Sequence, residues 1–368
     1  MTGENKAVHR EPLVRIVKRG DIPAKKIWAI RALAALGAVL TGALLILALG
    51  HNPAAVYVQM VVGAVGSKTA LVETIKKAIP LTGAAIAIAP AFKMKFWNIG
   101  AEGQIMAGAI AASYFALFHS QSMPRPLLLA VMLTAALLAG AVWGVIPALF
   151  KAKWGTNETL FTLMFNYIIL GFERYLQNGP WKKPSSGGFP KIAMFDDAAR
   201  LPRLFGVHIG WIFVLLLVIG MTVYLRRSKH GYEIAVVGES EPTARYAGMN
   251  VARIIVRTML ISGAIAGLVG FLQVSGANYT LTENTAGGIG FTAITVAWLA
   301  KLNPIAMVFI AAFLAVLQKG SGRIQTEFLI PASAAEVLTG IILFFMLGCE
   351  FFIHYRLVLR GGKEQKHG

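Results

Sequence analysis

Recurring runs of about 20 apolar residues most limit what this chain can fold into, because that is the length a helix needs to cross the hydrocarbon core of a bilayer. Clear runs occupy 27–50, 97–118, 126–150, 157–176, 209–225, 255–275 and 333–353, and three shorter or Gly- and Pro-interrupted ones occupy 79–92, 288–300 and 303–317. Together they predict an all-α polytopic membrane protein of about ten transmembrane helices, with both ends on one side. Composition agrees: of 368 residues, 56% are hydrophobic and only 14% charged, where soluble domains carry about 25% charged. The first run is too long for the about 7–15 apolar residues of a cleaved signal and reads as a retained span.

The net charge of +18 does not point to nucleic acid, since the basic residues sit in short clusters between apolar runs. The cluster between Lys6 and Lys26, Lys93 with Lys95, Lys151 with Lys153, the loop 226–257 and the tail 356–366 all fall on one side, which the positive-inside bias identifies as the cytoplasm. The chain then divides into a cytoplasmic segment 1–26, a transmembrane domain 27–355 and a cytoplasmic tail 356–368, N-in and C-in. The loop 177–208, with Lys182, Lys183, Lys191, Arg200 and Arg203, runs against the bias, as do Lys319 and Arg323. A single cysteine, Cys349, excludes a disulfide framework and a Cys-based metal site.

Several stretches leave two readings open. Residues 51–78 mix apolar positions with Gln59, Ser67, Lys68, Glu73, Lys76 and Lys77, which fits an interfacial amphipathic helix or the first part of a longer second span. Gly140 and Gly144, and likewise Gly263 and Gly267, share a helix face four residues apart, a spacing that permits close backbone approach. The passages starting at Asn98 and at Gly288 occupy similar places in the two halves, a pattern expected of inverted repeats with broken helices.

The segment 228–253 is the most informative polar piece. Ser240 can cap a short helix with Pro242 in its first turn and Gly248 just past its end. A helix over Glu241–Ala247 is too short to stand alone in water, so it either docks onto something or is an ordinary loop. No nucleotide-binding loop is found, because Gly63–Thr69 lacks the Gly-Lys-Ser/Thr ending at the required spacing. The seven histidines form no i, i+4 pair and no nucleophile–base arrangement stands out, so catalysis by this chain is not expected.

Four passages carry a family resemblance. The stretch Gly231–Val251 resembles the coupling segment of permeases in the ribose/branched-chain amino-acid class of ABC importers. Phe96-Trp-Asn-Ile-Gly-Ala-Glu-Gly-Gln104, Gly155–Tyr167 and Gly288–Pro304 are similar to that family's third-span, fifth-span and eighth-to-ninth-span passages. Together they cover about Leu71 to Phe352, and the Asn-Ile-Gly-Ala-Glu-Gly-Gln form looks most like the nucleoside permeases. Phe161 and Trp298 are bulkier than that pattern.

The resemblance implies a multi-pass subunit of the bacterial cytoplasmic (inner) membrane, without its own ATP site, partnered by ABC ATPase subunits that bind ATP and Mg. It further implies a second permease, related or identical, and an extracytoplasmic substrate-binding protein, in contact with membrane lipid and not with nucleic acid. Glu239, Glu241, Arg245 and Tyr246 would contact the ATPase. The polar span residues Asn98, Glu102, Gln104, Asn157, Glu158, Asn166, Thr292, Thr295 and Glu336 are substrate-path candidates, since a charge at mid-bilayer costs about 2.5 kcal/mol or more and turns toward a cavity or partner. Their amides would meet base edges or ribose hydroxyls while Phe165, Tyr167 or Trp298 stacks on a purine. The alternative role is to satisfy broken helix ends. Competing functions are a simple-sugar (ribose-type) permease and an ion-coupled secondary transporter.

Overall fold

Helices account for about three quarters of the described residues of the computed structural model, which are 14–20, 22–184, 187 and 190–359. In chain order they are α1 (Ala24–Ala48), α2 (Pro53–Val65), α3 (Lys68–Lys93), α4 (Ala101–Phe118), α5 (Arg125–Trp154), α6 (Glu158–Asn178), α7 (Gly210–Arg227), α8 (Lys229–Glu239), α9 (Glu241–Tyr246), α10 (Val251–Leu272), α11 (Ile289–Leu299), α12 (Pro304–Glu327) and α13 (Ala332–His354). A π-helical turn, Gln273–Asn278, extends α10. Among the described residues, seven helices are long and apolar enough to cross a membrane: α1, α3, α5, α7, α10, α12 and α13. α4 and α6 are of similar length but more polar, through Glu102 and Gln104 on one and Asn166, Glu173 and Arg174 on the other.

The chain forms two compact units, one from 61–320 and one from the two ends, 1–60 with 321–368. In the larger unit α10 packs against α5, α4 and α3, and α3 is enclosed along its C-terminal half, where Ile79–Phe92 is buried. Glycine makes this close packing possible. A Cβ on Gly267 would fall on the Ala136 carbonyl oxygen, one on Gly270 on that of Ile105, and Gly140 and Gly263 would each strike the other's carbonyl. The two small-residue pairs seen in the sequence therefore form one backbone-to-backbone seam between α5 and α10.

In the terminal unit α1 lies along α13, tied by Arg31 Nη2 to Glu350 Oε1 at 3.0 Å. A strand the sequence did not announce, β1 (Val14–Lys18), pairs antiparallel with β4 (Tyr355–Leu359), Lys18 opposite Tyr355. The two flanks of the chain thus meet at one place. The remainder of the expected cytoplasmic ends, 1–13 and 360–368, lies outside the described residues.

Several boundaries depart from expectation. The short run 79–92 is the inner part of a continuous helix that starts at Lys68, capped by the Ser67 side chain accepting from Ala70 N at 3.1 Å, and runs through Pro80 and Pro90. Spanning helices tolerate such prolines when neighbouring groups satisfy the freed carbonyls. Residues 51–78 thus divide between a separate helix, α2, and the start of a long second one. α12 extends ten residues past the expected 317, through Lys319 and on to Arg323 and Glu327, an i, i+4 ion pair. α4 begins four residues later than expected because Trp97–Gly100 is a turn.

Candidate functional site

Two clusters of polar residues stand out in the larger unit, a knot where α4 begins and a projecting turn between α8 and α10.

The knot starts with Asn98, fully buried just ahead of α4. Its side chain exchanges two hydrogen bonds with Gln104, each 3.1 Å, donates to Ser262 Oγ on α10 at 3.2 Å, and accepts from Gly100 N at 3.1 Å. From α6, Asn166 accepts from Gly103 N at 2.8 Å and donates to Ile99 O at 3.0 Å. Glu102 reaches the start of α11. Its Oε1 accepts from Gly288 N and its Oε2 from Gly290 N, both at 2.7 Å. Glycine is required there, since Gly288 has φ +78° and a Cβ on Gly290 would press on the Glu102 backbone. A carboxylate at a helix N-terminus satisfies donors the helix itself cannot and complements its dipole. The passages at Asn98 and Gly288 are therefore in direct contact.

Beside the knot lies an aromatic cluster. Trp97 and Trp298 stack with centroids 5.6 Å apart at 20°, over Phe92 at 5.5 Å and 6.1 Å, and both indoles are about two-fifths exposed. Trp298 was a candidate from sequence; Trp97 was not, although it stands inside the same motif.

The other candidates separate. Asn157 caps α6, accepting from Leu160 N at 3.1 Å, and Glu158 pairs with Lys151 at 2.8 Å. Phe165 packs on Trp143 and Phe161, each at 5.0 Å, and Tyr167 is exposed on the same helix. The Thr292 hydroxyl donates to Gly288 O at 3.0 Å, and Thr295 is half-buried on α11. Glu336 belongs to the terminal unit and is exposed on α13. The structure thus brings Asn98, Glu102, Gln104 and Asn166 together, while Asn157, Glu158 and Phe165, on the first half of α6, make their contacts elsewhere.

The projecting turn matches the sequence reading closely. Ser240 accepts from Thr243 N at 3.3 Å, α9 follows, and Gly248 at φ +76° ends it. Only Ala244 of the helix is buried. Glu241 and Arg245 form an ion pair at 2.6 Å on the outer face, Glu239 is exposed, and Tyr246 is 94% exposed. The sequence reading missed α8, which precedes this turn and is capped by Ser228 accepting from Gly231 N at 2.9 Å. α8 seats against α3, where a Cβ on Gly238 would collide with the Lys93 carbonyl. Among the described residues no three His, Cys, Asp or Glu side chains are grouped to hold a metal.

Comparison with known proteins places these features in a family. The family model described as branched-chain amino acid transport system / permease component matches residues 70–347, which contain both the knot and the projecting turn. A glucose ABC transporter permease protein of Haloferax volcanii is 32% identical over 352 residues, 92% of each chain. A nucleoside ABC transporter permease protein of Lactococcus lactis is 30% identical, covering 86% of this chain and 90% of its own. A guanosine ABC transporter permease protein of Bacillus subtilis is 30% identical, covering 89% and 93%. With the match extending over most of its length, the chain belongs to the branched-chain amino acid transport system permease family of ABC transporters.

Proposed function

We propose that this permease moves nucleosides inward across the cytoplasmic (inner) membrane of a bacterium, driven by ATP and Mg bound to two partner ABC ATPases. Its ten spans run N-in and C-in, with inverted repeats and broken helices, and the segment 228–253 is the coupling element. An extracytoplasmic binding protein delivers the substrate, and a second permease, identical or related, completes the pathway. The observation that carries the reading is α9, a six-residue helix held out on α8 and α10 with its ion pair and Tyr246 turned to the surface. A helix this short is stable only when fixed at both ends and packed, and its exposed face is the shape a separate subunit can grip.

In this reading the candidate residues divide by role. Asn98, Glu102, Gln104 and Asn166 have their hydrogen-bonding capacity turned inward, so they position α4, α6 and α11. Contact with the solute falls to the exposed indoles of Trp97 and Trp298 and to the start of α6, with Asn157, Glu158 and Phe165. Stacked aromatics suit a nucleobase. The names of the Lactococcus and Bacillus relatives support nucleosides. A sugar substrate is the second reading, supported by the glucose permease of Haloferax.

The test is uptake of labelled guanosine in cells carrying the permease with its ATPase. Replacing Glu241 and Arg245 together by alanine should abolish uptake with no change in the melting temperature of the purified protein, and wild-type uptake by that variant would sink the coupling assignment. Inhibition of uptake by excess adenosine but not by glucose or ribose is expected; the opposite pattern would transfer the assignment to sugars.

A further inference from the structure

A long apolar groove runs along the larger unit between α3, α7 and α12, its mouth flanked by the hairpin of β2 (Arg203–Leu204) and β3 (Val207–His208), and it plays no part in the proposed path. Its cavity volume is about 530 Å³, and its walls are almost wholly aliphatic, with Leu71, Ile75 and Ile79 on one side and Val214 and Ala312 on the others. The lining extends from Lys68 to Thr82 on α3. At 1.5 Å rise per residue those fourteen steps make about 21 Å, the depth of one leaflet with its interface, since the whole hydrocarbon core is about 30 Å thick. The polar residue at the deep end is already satisfied, as the Thr82 hydroxyl donates to Ala78 O at 2.8 Å. The groove offers nothing polar below its mouth.

The mouth has a different chemistry. Lys68 stands there, exposed in the first turn of α3, and has no ion-pair partner among the described residues. Of the cations near it, Lys76 pairs with Glu73 at 2.7 Å, and Arg203 donates to the Tyr279 hydroxyl at 2.8 Å. Phe205, at the hairpin tip, is 82% exposed and has φ +56°, and Trp211 lies in the same lining. Aromatic rings beside a lysine mark the headgroup level of a membrane protein. An extended peptide would leave its amides unbonded against these walls. The occupant must be narrow, flexible, apolar along its length and negatively charged at one end.

We propose that this groove is a binding site for a single anionic phospholipid, with one acyl chain laid along α3 and the phosphate head against Lys68. Such a lipid is bound rather than annular. It bridges α12 to α3 and α7, which already pack on each other, and it exchanges more slowly than the lipids around it.

The test uses the full chain reconstituted into nanodiscs with equal phosphatidylglycerol and phosphatidylethanolamine, then extracted in mild detergent, with retained lipids counted by native mass spectrometry. Wild-type protein should keep phosphatidylglycerol in clear excess over its share of the mixture. Lys68→Ala should lower that preference about fivefold, the worth of one basic side chain beside an anionic head, and Ala312→Phe should remove the bound lipid of either kind. Retention in proportion to the mixture by the wild-type protein would overturn the proposal without any variant. So would retention by Ala312→Phe equal to wild type, provided the variant elutes as the same species. A preference untouched by Lys68→Ala would overturn the placement of the head.

Discussion

Glu102 Oε2 lies 2.7 Å from the backbone nitrogen of Gly290, across 188 residues of sequence. Together with the bond to Gly288 it fixes the start of α11 on the first turn of α4, so a helix of only 11 residues, too short to span a bilayer, is anchored at its N-terminal end by a carboxylate. The position of Trp298, near the other end of α11, depends on that anchor.

Replacing Glu102 by alanine leaves two backbone donors without a partner in a buried place, at about 1–3 kcal/mol each. The expected result is a lowered melting temperature in detergent and lost uptake. Glu102→Gln keeps the shape but turns one amide group toward a backbone N–H, and should fall between the two. A glutamine variant with full uptake and wild-type melting would show that the negative charge has no part in holding α11.

Gly267→Ala puts a methyl group on the Ala136 carbonyl, with backbone on both sides and nothing able to move aside. Overpacking of this kind costs about 1–3 kcal/mol, read as a lower melting temperature. Gly220→Ala on α7 meets nothing within 4 Å and serves as the control, with little or no change expected.

Acid should weaken the fold through His208. Its ring is buried beside Gly210 and Gly276, and burial, with Lys76 and Arg203 nearby, pulls its pKa from 6.5 down to about 4. Because the folded value is the lower one, the neutral ring's contribution is complete above about pH 6.5 and is lost as pH falls toward 4, where the unfolded chain binds the proton more readily. At 1.36 kcal/mol per unit this amounts to about 3 kcal/mol at most. Melting temperature should fall between pH 6.5 and 4, and His208→Gln should flatten that slope.

Trp298→Ala should raise the half-saturating concentration for uptake by a few-fold, in line with about 0.5–1.5 kcal/mol for an aromatic stack. Trp298→Phe should restore most of it. An unchanged half-saturating concentration in the alanine variant would remove the indole from the path.

How much was legible in the sequence depends on the range of the interaction concerned. Ser240, Pro242 and Gly248 act on their own turn, and the short helix of the segment 228–253 appeared where they predicted it, as Glu241–Tyr246. The glycine spacings on α5 and α10 were equally plain, because a helix face follows from position alone, although which two faces meet did not. Pro80 and Pro90 were read as breaks, yet the helix runs through both inside the buried stretch Ile79–Phe92, whose enclosure comes from tertiary packing. The knot shows the same limit. Asn98, Glu102, Gln104 and Asn166 stood out as polar residues in apolar runs, yet whether each faces a solute or a neighbouring backbone depends on partners 6 to 188 residues away. β1 and β4 were hidden for that reason too: neither pairs with anything nearby in sequence.

The glycine seam has a mechanical consequence. Two helices in backbone contact cannot slide without lifting apart, so α5 and α10 turn as a single stiff lever. α9 is attached to one end of that lever, through Asn250 at the head of α10. If α9 is the coupling helix proposed above, a pull on it would reach the far end of α10 as rotation with little lost in bending.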